Sequence, residues 1–279
     1  MISNSFEYHQ VYTVAEAITL FQQLDQAGKS PVYYNGGTEI ITMLRIHALY
    51  RETQAIINIK NIPECNVIDF HDDRLIIGGS ITLANLEERE VFPLLSKNCS
   101  RIADHTSREK ITIAGNICGS IPYKEAILPL LLTDATLIIA SESGMKEVSL
   151  QKIFDKHIHL DHGAFIVQIA INQSYLHLKF VSKKITKIGR IGYPVLTVNG
   201  LRMEDKMRFA FSGLCAFPFR SYKVENILNN VDYNFEEKID EVIKELPAPI
   251  LHDTHGSSAY REFVLQYLLE ESLAKLKGR

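Results

Sequence analysis

Cysteine is scarce in this 279-residue chain, and its scatter excludes as much as its number. The four cysteines stand at 65, 99, 118 and 215, with no CxxC pair among them. An iron–sulfur or zinc site held by this chain alone is therefore not expected, nor is a disulfide framework. The histidines show no HExxH or comparable ligand spacing. His157 and His159 could share a strand face, but they read more simply as a solvated loop pair. No apolar run approaches the roughly 20 residues that cross a bilayer, so no membrane partner is expected. The opening residues, MISNSFEYHQ, carry neither the basic region nor the apolar run of a signal peptide, and a reduced cytoplasmic setting is expected. An excess of one charge is also missing: the formal net charge is −3. The basic run Lys183-Lys184 with Lys187 and Arg190 is balanced elsewhere, which gives no reason to expect a nucleic-acid partner.

What the chain does have is two glycine-centred stretches, each just after an apolar run: Asn35-Gly36-Gly37-Thr38-Glu39-Ile40 and Thr112-Ile113-Ala114-Gly115-Asn116. Small residues at such places let backbone N–H groups approach an anion without side chains in the way. One loop of this kind could be an ordinary turn. Two of them point to a long ligand with a charged middle, gripped from both sides, and a dinucleotide such as FAD fits. In the first loop the order strand, glycine turn, helix N-terminus adds a favourable partial charge of about +0.5. A Cβ at Gly36 or Gly37 would crowd the ligand or forbid positive φ.

At this length two or three subdomains are expected rather than one core. Thr13 to Glu16 reads as a capping box, followed by Val14, Ala17, Ile18, Phe21 and Leu24 at helical spacing and Gly28 as a stop. Pro31 to Tyr34 predicts a short strand and Thr38 to Arg45 a brief helix. Strands follow at Ala55 to Ile59 and Leu75 to Gly79, helices at Leu83 to Glu90 and Phe92 to Ala103. The second glycine loop precedes a helix over Glu125 to Leu132 and a strand over Ala135 to Ala140. Phe165 to Ile171, Tyr175 to Val181, Val195 to Arg202 and Lys206 to Phe211 predict antiparallel strands. Helices at Tyr222 to Leu228, Phe235 to Leu246 and Ser258 to Leu276 close the chain, and strands followed by helices argue for a separate α+β domain. No internal repeat, low-complexity segment or long linker appears.

These residues resemble the FAD-binding medium subunit of molybdenum hydroxylases, the xanthine dehydrogenase and carbon monoxide dehydrogenase type. Members carry AGGTDL and TIGGN loops, then a stretch with proline and aspartate, then LLALDA. Here the sequence reads NGGTEI, TIAGN, Ile121-Pro122-Tyr123-Lys124-Glu125 and Leu131-Leu132-Thr133-Asp134-Ala135. Asn58 to Glu64 is similar to the family's VDLxxIPEL, and Leu75 to Gly79 to its LxIGA. Lys187-Ile188-Gly189-Arg190 resembles KxGRR, and Gly256 to Arg261 resembles GSAEYRR. The resemblance covers nearly the whole chain, in the family's order.

It implies an α+β fold: a two-subdomain FAD-binding domain of the vanillyl-alcohol oxidase (PCMH) type over 1–172, with subdomains of about 1–60 and 61–172, then a smaller C-terminal α+β domain over 173–279 with an antiparallel sheet and helices. By position, the implied cofactor-binding residues are Asn35, Gly36, Gly37, Thr38, Glu39 and Ile40 from the first loop and Thr112, Ala114, Gly115 and Asn116 from the second. Cys118 falls where members place an apolar residue against the flavin, Glu125 takes the place of a ribityl- or phosphate-side aspartate, and Ile102 and Lys187 complete the set. Lys187 and Arg190 are either a solvated strand end or cations that stabilise the reduced flavin. Read by themselves, Thr112 and Asn116 could equally be loop-capping residues, Glu125 a helix N-terminal acid, and Cys118 an inert thiol.

No catalytic residue is nominated, because in this family the chain carries electrons. They pass from a molybdopterin-binding large subunit through [2Fe–2S] clusters of a small subunit to FAD, and onward to NAD or another acceptor. The sequence departs from the family at Asn35 for alanine, Glu39 for aspartate, Ile111 and Ala114 for glycines, Glu109 for asparagine and Glu125 for aspartate. Two other readings stay open: a self-sufficient flavin reductase of related fold, and a non-catalytic assembly subunit whose flavin site has degenerated.

Overall fold

The computed structural model describes residues 5–46, 49–189 and 192–278. Its contacts gather into two compact units that are not contiguous in sequence. The first comprises residues 1–85, 105–119 and 135–173, and the second 86–104, 120–134 and 174–279.

In the first unit, strands β1 (Glu7–Gln10), β2 (Val32–Tyr34) and β3 (Ala55–Asn58) form a parallel sheet in the order β1-β3-β2. The central strand, Ala-Ile-Ile-Asn, is buried throughout, as a parallel strand covered on both faces requires. Helix Val14–Gln26 buries Ala17, Phe21 and Leu24. Thr13 caps it by accepting the Glu16 N–H at 3.1 Å, while the Glu16 carboxylate reaches past Thr13 to the Tyr12 N–H at 2.8 Å.

The unit's larger sheet is antiparallel, with order β4-β5-β10-β6-β7. Its strands are β4 (Ile68–His71), β5 (Arg74–Gly78), β6 (Thr136–Ser141), β7 (Gly144–Ser149) and β10 (Phe165–Asn172). The short strands β8 (Phe154–Asp155) and β9 (His157–Ile158) pair separately. Phe165 to Ile171 thus does not begin the C-terminal run of strands, as its pattern had suggested. It is the middle of this sheet, paired with β5 and β6. Helix Val14–Gln26 binds the two sheets through one apolar cluster that includes Phe21, Ile57, Cys65, Ala140, Phe165 and Val167. Tyr33 stacks on Phe21 at 5.0 Å and lies 4.7 Å from Phe165, and its hydroxyl donates to Gly163 O at 3.0 Å.

In the second unit, β11 (Phe180–Thr186), β12 (Pro194–Arg202), β13 (Met207–Ser212) and β14 (Phe219–Arg220) form an antiparallel sheet in that order. The strand predicted at Tyr175 begins only at Phe180, because Gln173–Tyr175 closes into a 3₁₀ turn. Helix Ser258–Lys277 lays Val264, Leu265, Leu268, Leu269, Ser272 and Leu276 into the core, the i, i+3, i+4 spacing of one helix face. Helices Tyr222–Asn229 and Phe235–Lys244 complete this layer, the latter opened by a full capping box at Asn234 and Glu237. Pro93–Cys99 and the wholly buried Ile127–Leu132 also belong to this unit, both shorter than the sequence predicted. Among the described residues no helix is long and apolar enough to cross a membrane.

Candidate functional site

The first glycine loop follows β2 directly. Gly37 adopts φ +70° and is the N-cap of helix Thr38–Arg45, with no side chain capping the helix. That φ favours glycine, and the N–H groups of the first helical turn have no acceptor within their own helix. Glu39 lies in this turn, and a Cβ at Gly119 would sit 2.9 Å from its Oε2, so the carboxylate reaches the end of the second glycine segment.

Gly36 is required for a different reason from the one its sequence context suggests. A Cβ there would sit 2.0 Å from Lys110 O and 3.2 Å from Thr112 N. Its bare face is filled by the second segment's backbone, so the missing side chain lets the two loops touch. A third glycine joins them. Gly79 O accepts both Asn35 Nδ2 at 3.2 Å and the Ala114 N–H at 3.1 Å, and a Cβ on Gly79 would meet Ile166 O at 2.6 Å and the Ala114 methyl at 3.1 Å. The Ile113 N–H bonds to Ile81 O at 2.9 Å and the Leu83 N–H to Ile111 O at 2.8 Å, which fixes the second segment along residues 79–83.

The second stretch is not a loop but the helix Ile113–Cys118. Thr112 is its N-cap, its hydroxyl accepting the Gly115 N–H at 3.2 Å, and its carbonyl accepts the Asn116 N–H at 2.8 Å. Ala114 fits as a helical residue at the position where the family has glycine. Cys118 is exposed at the helix end. It lies near Glu39 and Tyr50: burial, then the charges of Glu39 and Cys118, raise the Tyr50 hydroxyl above the ordinary tyrosine range.

The remaining expected site residues belong to the second unit. Ile102 is buried. Glu125 is 5% exposed, and both of its oxygens are engaged, by Lys184 Nζ at 2.8 Å and by Thr197 Oγ1 at 2.6 Å. Its carbonyl accepts Asn98 Nδ2 at 2.8 Å. Lys184 also donates to Arg101 O at 2.8 Å, and Arg101 Nη1 to Ser182 O at 2.9 Å. Lys187 is exposed and donates to Thr254 O at 2.6 Å, while Arg190 lies outside the described residues.

The geometry thus gathers Asn35 to Ile40, Thr112 to Cys118 and Gly79 in one region of the first unit. Gly79 and Tyr50 are the members that the sequence reading left off its list of site residues. Gly78-Gly79 after an apolar run was the available signal, a third instance of the pattern that singled out the other two. Asn35 Oδ1 is buried without a hydrogen-bond partner in the protein, beside amides at an uncapped helix start. A buried acceptor left over near a helix start without a side-chain cap suits a ligand carrying both anionic oxygens and a donor group.

Apposed glycine segments at a helix start without a side-chain cap suit a protein that carries a nucleotide cofactor. The family described as "FAD binding domain in molybdopterin dehydrogenase" matches residues 4–173, and the chain belongs to it. The chain is 26% identical over 284 residues to the xanthine dehydrogenase FAD-binding subunit of Escherichia coli O157:H7, covering 96% of this chain and 94% of that one. It is 23% identical to the glyceraldehyde dehydrogenase medium chain of Sulfolobus acidocaldarius, covering 96% and 97%. In fold it is similar to a chain of carbon monoxide dehydrogenase from Hydrogenophaga pseudoflava, with a TM-score of 0.86, 20% identity and 99% of both chains covered. The protein is an oxidoreductase subunit with FAD as its cofactor. The helix start without a side-chain cap and the buried Asn35 acceptor fit that group.

Proposed function

We propose that this protein is the FAD-carrying electron-transfer subunit of a multi-subunit molybdenum hydroxylase of the xanthine dehydrogenase kind. Its partners are a small subunit with [2Fe–2S] clusters and a large molybdopterin-binding subunit, with NAD or another carrier as final acceptor, in the cytoplasm. The observation that carries the reading is the apposition of the two glycine segments through Gly36, which makes one cradle of them. FAD supplies the redox chemistry, accepting electrons singly and releasing them singly or in pairs.

This chain's own residues bind and orient the cofactor. The amides at the start of helix Thr38–Arg45 would receive the diphosphate, with Gly36 letting the two segments touch and Gly37 making the left-handed turn that leads into the helix. Asn35 would accept from the cofactor through Oδ1 while Nδ2 stays anchored on Gly79. The helix Ile113–Cys118, with Thr112, Ala114, Gly115, Asn116 and Cys118, forms the opposite wall.

Two further observations support the assignment of partners. Relatives named for nicotinate and caffeine dehydrogenases also align over most of this chain, 89% and 82% of it, beside those named for xanthine and glyceraldehyde. Substrates that differ so much alongside one shared subunit suit a chain that does not read the substrate. Burial also pushes the thiols of Cys65 and Cys215 up, to about 12 and about 11, so neither is a thiolate ready to hold iron.

The test is direct. The full chain, purified, is expected to be yellow, with flavin absorbance near one FAD per chain, and to co-purify with cluster and molybdenum subunits when these are co-expressed. Colourless protein that takes up no added FAD overturns the reading. Turnover of the isolated chain with a reductant and an organic substrate would favour the self-sufficient reductase instead.

A further inference from the structure

The second unit contains a cavity of about 270 Å³ whose lining is strongly cationic: Arg202, Lys206, Lys238 and Lys277 around Tyr233, with Asp205 as its single carboxylate. Two helix C-termini meet these cations. Lys238 Nζ donates to Leu228 O at 2.9 Å, in the last turn of helix Tyr222–Asn229. Arg202 Nη1 donates to Leu276 O at 2.8 Å, in the last turn of helix Ser258–Lys277. Lys238 is 5% exposed, and among the described residues no carboxylate pairs with Lys206, Lys238 or Lys277. Burial, and then the nearby Lys277, pull the Lys238 ammonium below the ordinary lysine range, which shows how poorly the protein itself compensates this charge.

The simplest explanation is that the cations only neutralise the two helix ends. Magnitudes decide against it. Each helix C-terminus offers about −0.5 of a charge, so two ends and Asp205 together supply about −2 against four cations. About two positive charges are left over, focused into a cavity just below the range for drug-sized ligand sites, about 300–1,000 Å³, a size that suits a small anion. Lysine ammoniums act as point-charge binders of phosphate, and Lys238 has spent only one of its three N–H donors in the described structure.

We propose that this cavity is a binding site for a phosphate-class dianion, either inorganic phosphate or the phosphoryl group of a small phosphorylated metabolite. Lys238 is its buried anchor, and Lys206 and Lys277 close it from the solvent side. None of the residues that line it is among those expected to hold the flavin.

The test uses the full chain saturated with FAD, so that the flavin site cannot take up the added anion. Inorganic phosphate and glycerol 3-phosphate are titrated separately by calorimetry and thermal melting, against sodium chloride at matched ionic strength. Saturable binding to one site is expected, with a rise in melting temperature that chloride does not reproduce. Lys277→Glu, at an exposed position where folding is not at risk, is expected to weaken binding by about tenfold or more. Lys238→Met is expected to abolish it. Tighter binding of glycerol 3-phosphate supports a ligand with an organic tail, and equal or weaker binding supports the free anion. A response that chloride matches, or binding that Lys277→Glu leaves unchanged, overturns the proposal.

Discussion

Two polar clusters of the molecule treat their buried groups in opposite ways. Around Glu125 and Arg220 in the second unit the network is closed, with Glu125 spending both oxygens on Lys184 and Thr197 and Arg220 pairing with both Asp134 and Glu225, although Ser182 Oγ, Asn199 Oδ1, Arg261 Nε and Ser272 Oγ elsewhere in that unit are buried without a partner among the described residues. In the glycine cluster of the first unit the account is open. The helix at Thr38 starts without a side-chain cap, and Asn35 Oδ1 is buried without a partner. A closed network holds a fold together, whereas an open one spends stability to keep a place for something else. Charge and burial alone do not tell the two apart. Glu125, expected from the resemblance beside the cofactor, also ties its own unit together through Lys184 and Thr197, while Asn35, where the family has alanine, brings an unpartnered acceptor.

The sharpest way to break this contrast is to remove one half of a closed pair. Lys184 and Glu125 are 3% and 6% exposed at the side chain. Lys184→Met leaves the carboxylate buried with only Thr197, and should cost about 3–5 kcal/mol of stability in chemical denaturation. The double variant Lys184→Met with Glu125→Gln should recover much of that loss, because no bare charge remains. If the single variant unfolds no more easily than the wild type, the network is not closed in the sense argued.

The open side gives a second, smaller effect with a different readout. Gly36→Ala places a methyl 2.0 Å from the Lys110 carbonyl oxygen, a backbone atom that no rotamer change can move aside. The two segments must separate, at a cost of about 1–3 kcal/mol for overpacking. FAD occupancy is expected to fall further than stability does, since the opening distorts the cradle itself. Absorbance at fixed added FAD, read beside the denaturation midpoint, separates the two. Equal FAD affinity in the variant would mean that the loops need not touch for the cofactor to bind.

Much of this could be read from the chain before any coordinates. The helix Thr38–Arg45 and the start of helix Phe235–Lys244 fall at the predicted residues, because caps, glycine stops and apolar spacing are local signals. The strands β1 (Glu-Tyr-His-Gln) and β4 (Ile-Asp-Phe-His) escaped, since both lie at sheet edges, bury no side chain fully and are only four residues long, too short for a period to stand out. The two glycine segments were legible as composition, but their mutual contact was not. Gly36 against Lys110 is an encounter of residues far apart in sequence, and no window of residues contains both. For the same reason the sequence could not show that Lys184 and Thr197 would occupy Glu125.

The mildest test of the contrast lies in acid. Asp253 Oδ1 accepts three donors in the second unit: Arg261 Nη2 at 2.6 Å, the His255 N–H at 2.8 Å and the Gly256 N–H at 3.2 Å. Burial alone would raise this carboxyl, but the His255 amide, the Arg261 guanidinium and the Gly256 amide outweigh it, and the pKa falls below the ordinary value. A carboxylate whose folded pKa is depressed contributes stability that is complete above its unfolded pKa, about 3.9, and is lost as pH falls through the lower folded value. Asp253→Asn should therefore be less stable than wild type by about 1–2 kcal/mol at neutral pH, a modest figure because the carboxylate is partly solvated. That gap should stay level down to about pH 5 and narrow below about pH 4 as the wild type protonates. Arg261, fully buried and bonded also to Val195 O and Gly213 O, keeps those partners in the variant, so the fold should survive and the comparison stay readable. A gap that holds constant or widens in acid would show that Asp253 does not close this network through its charge.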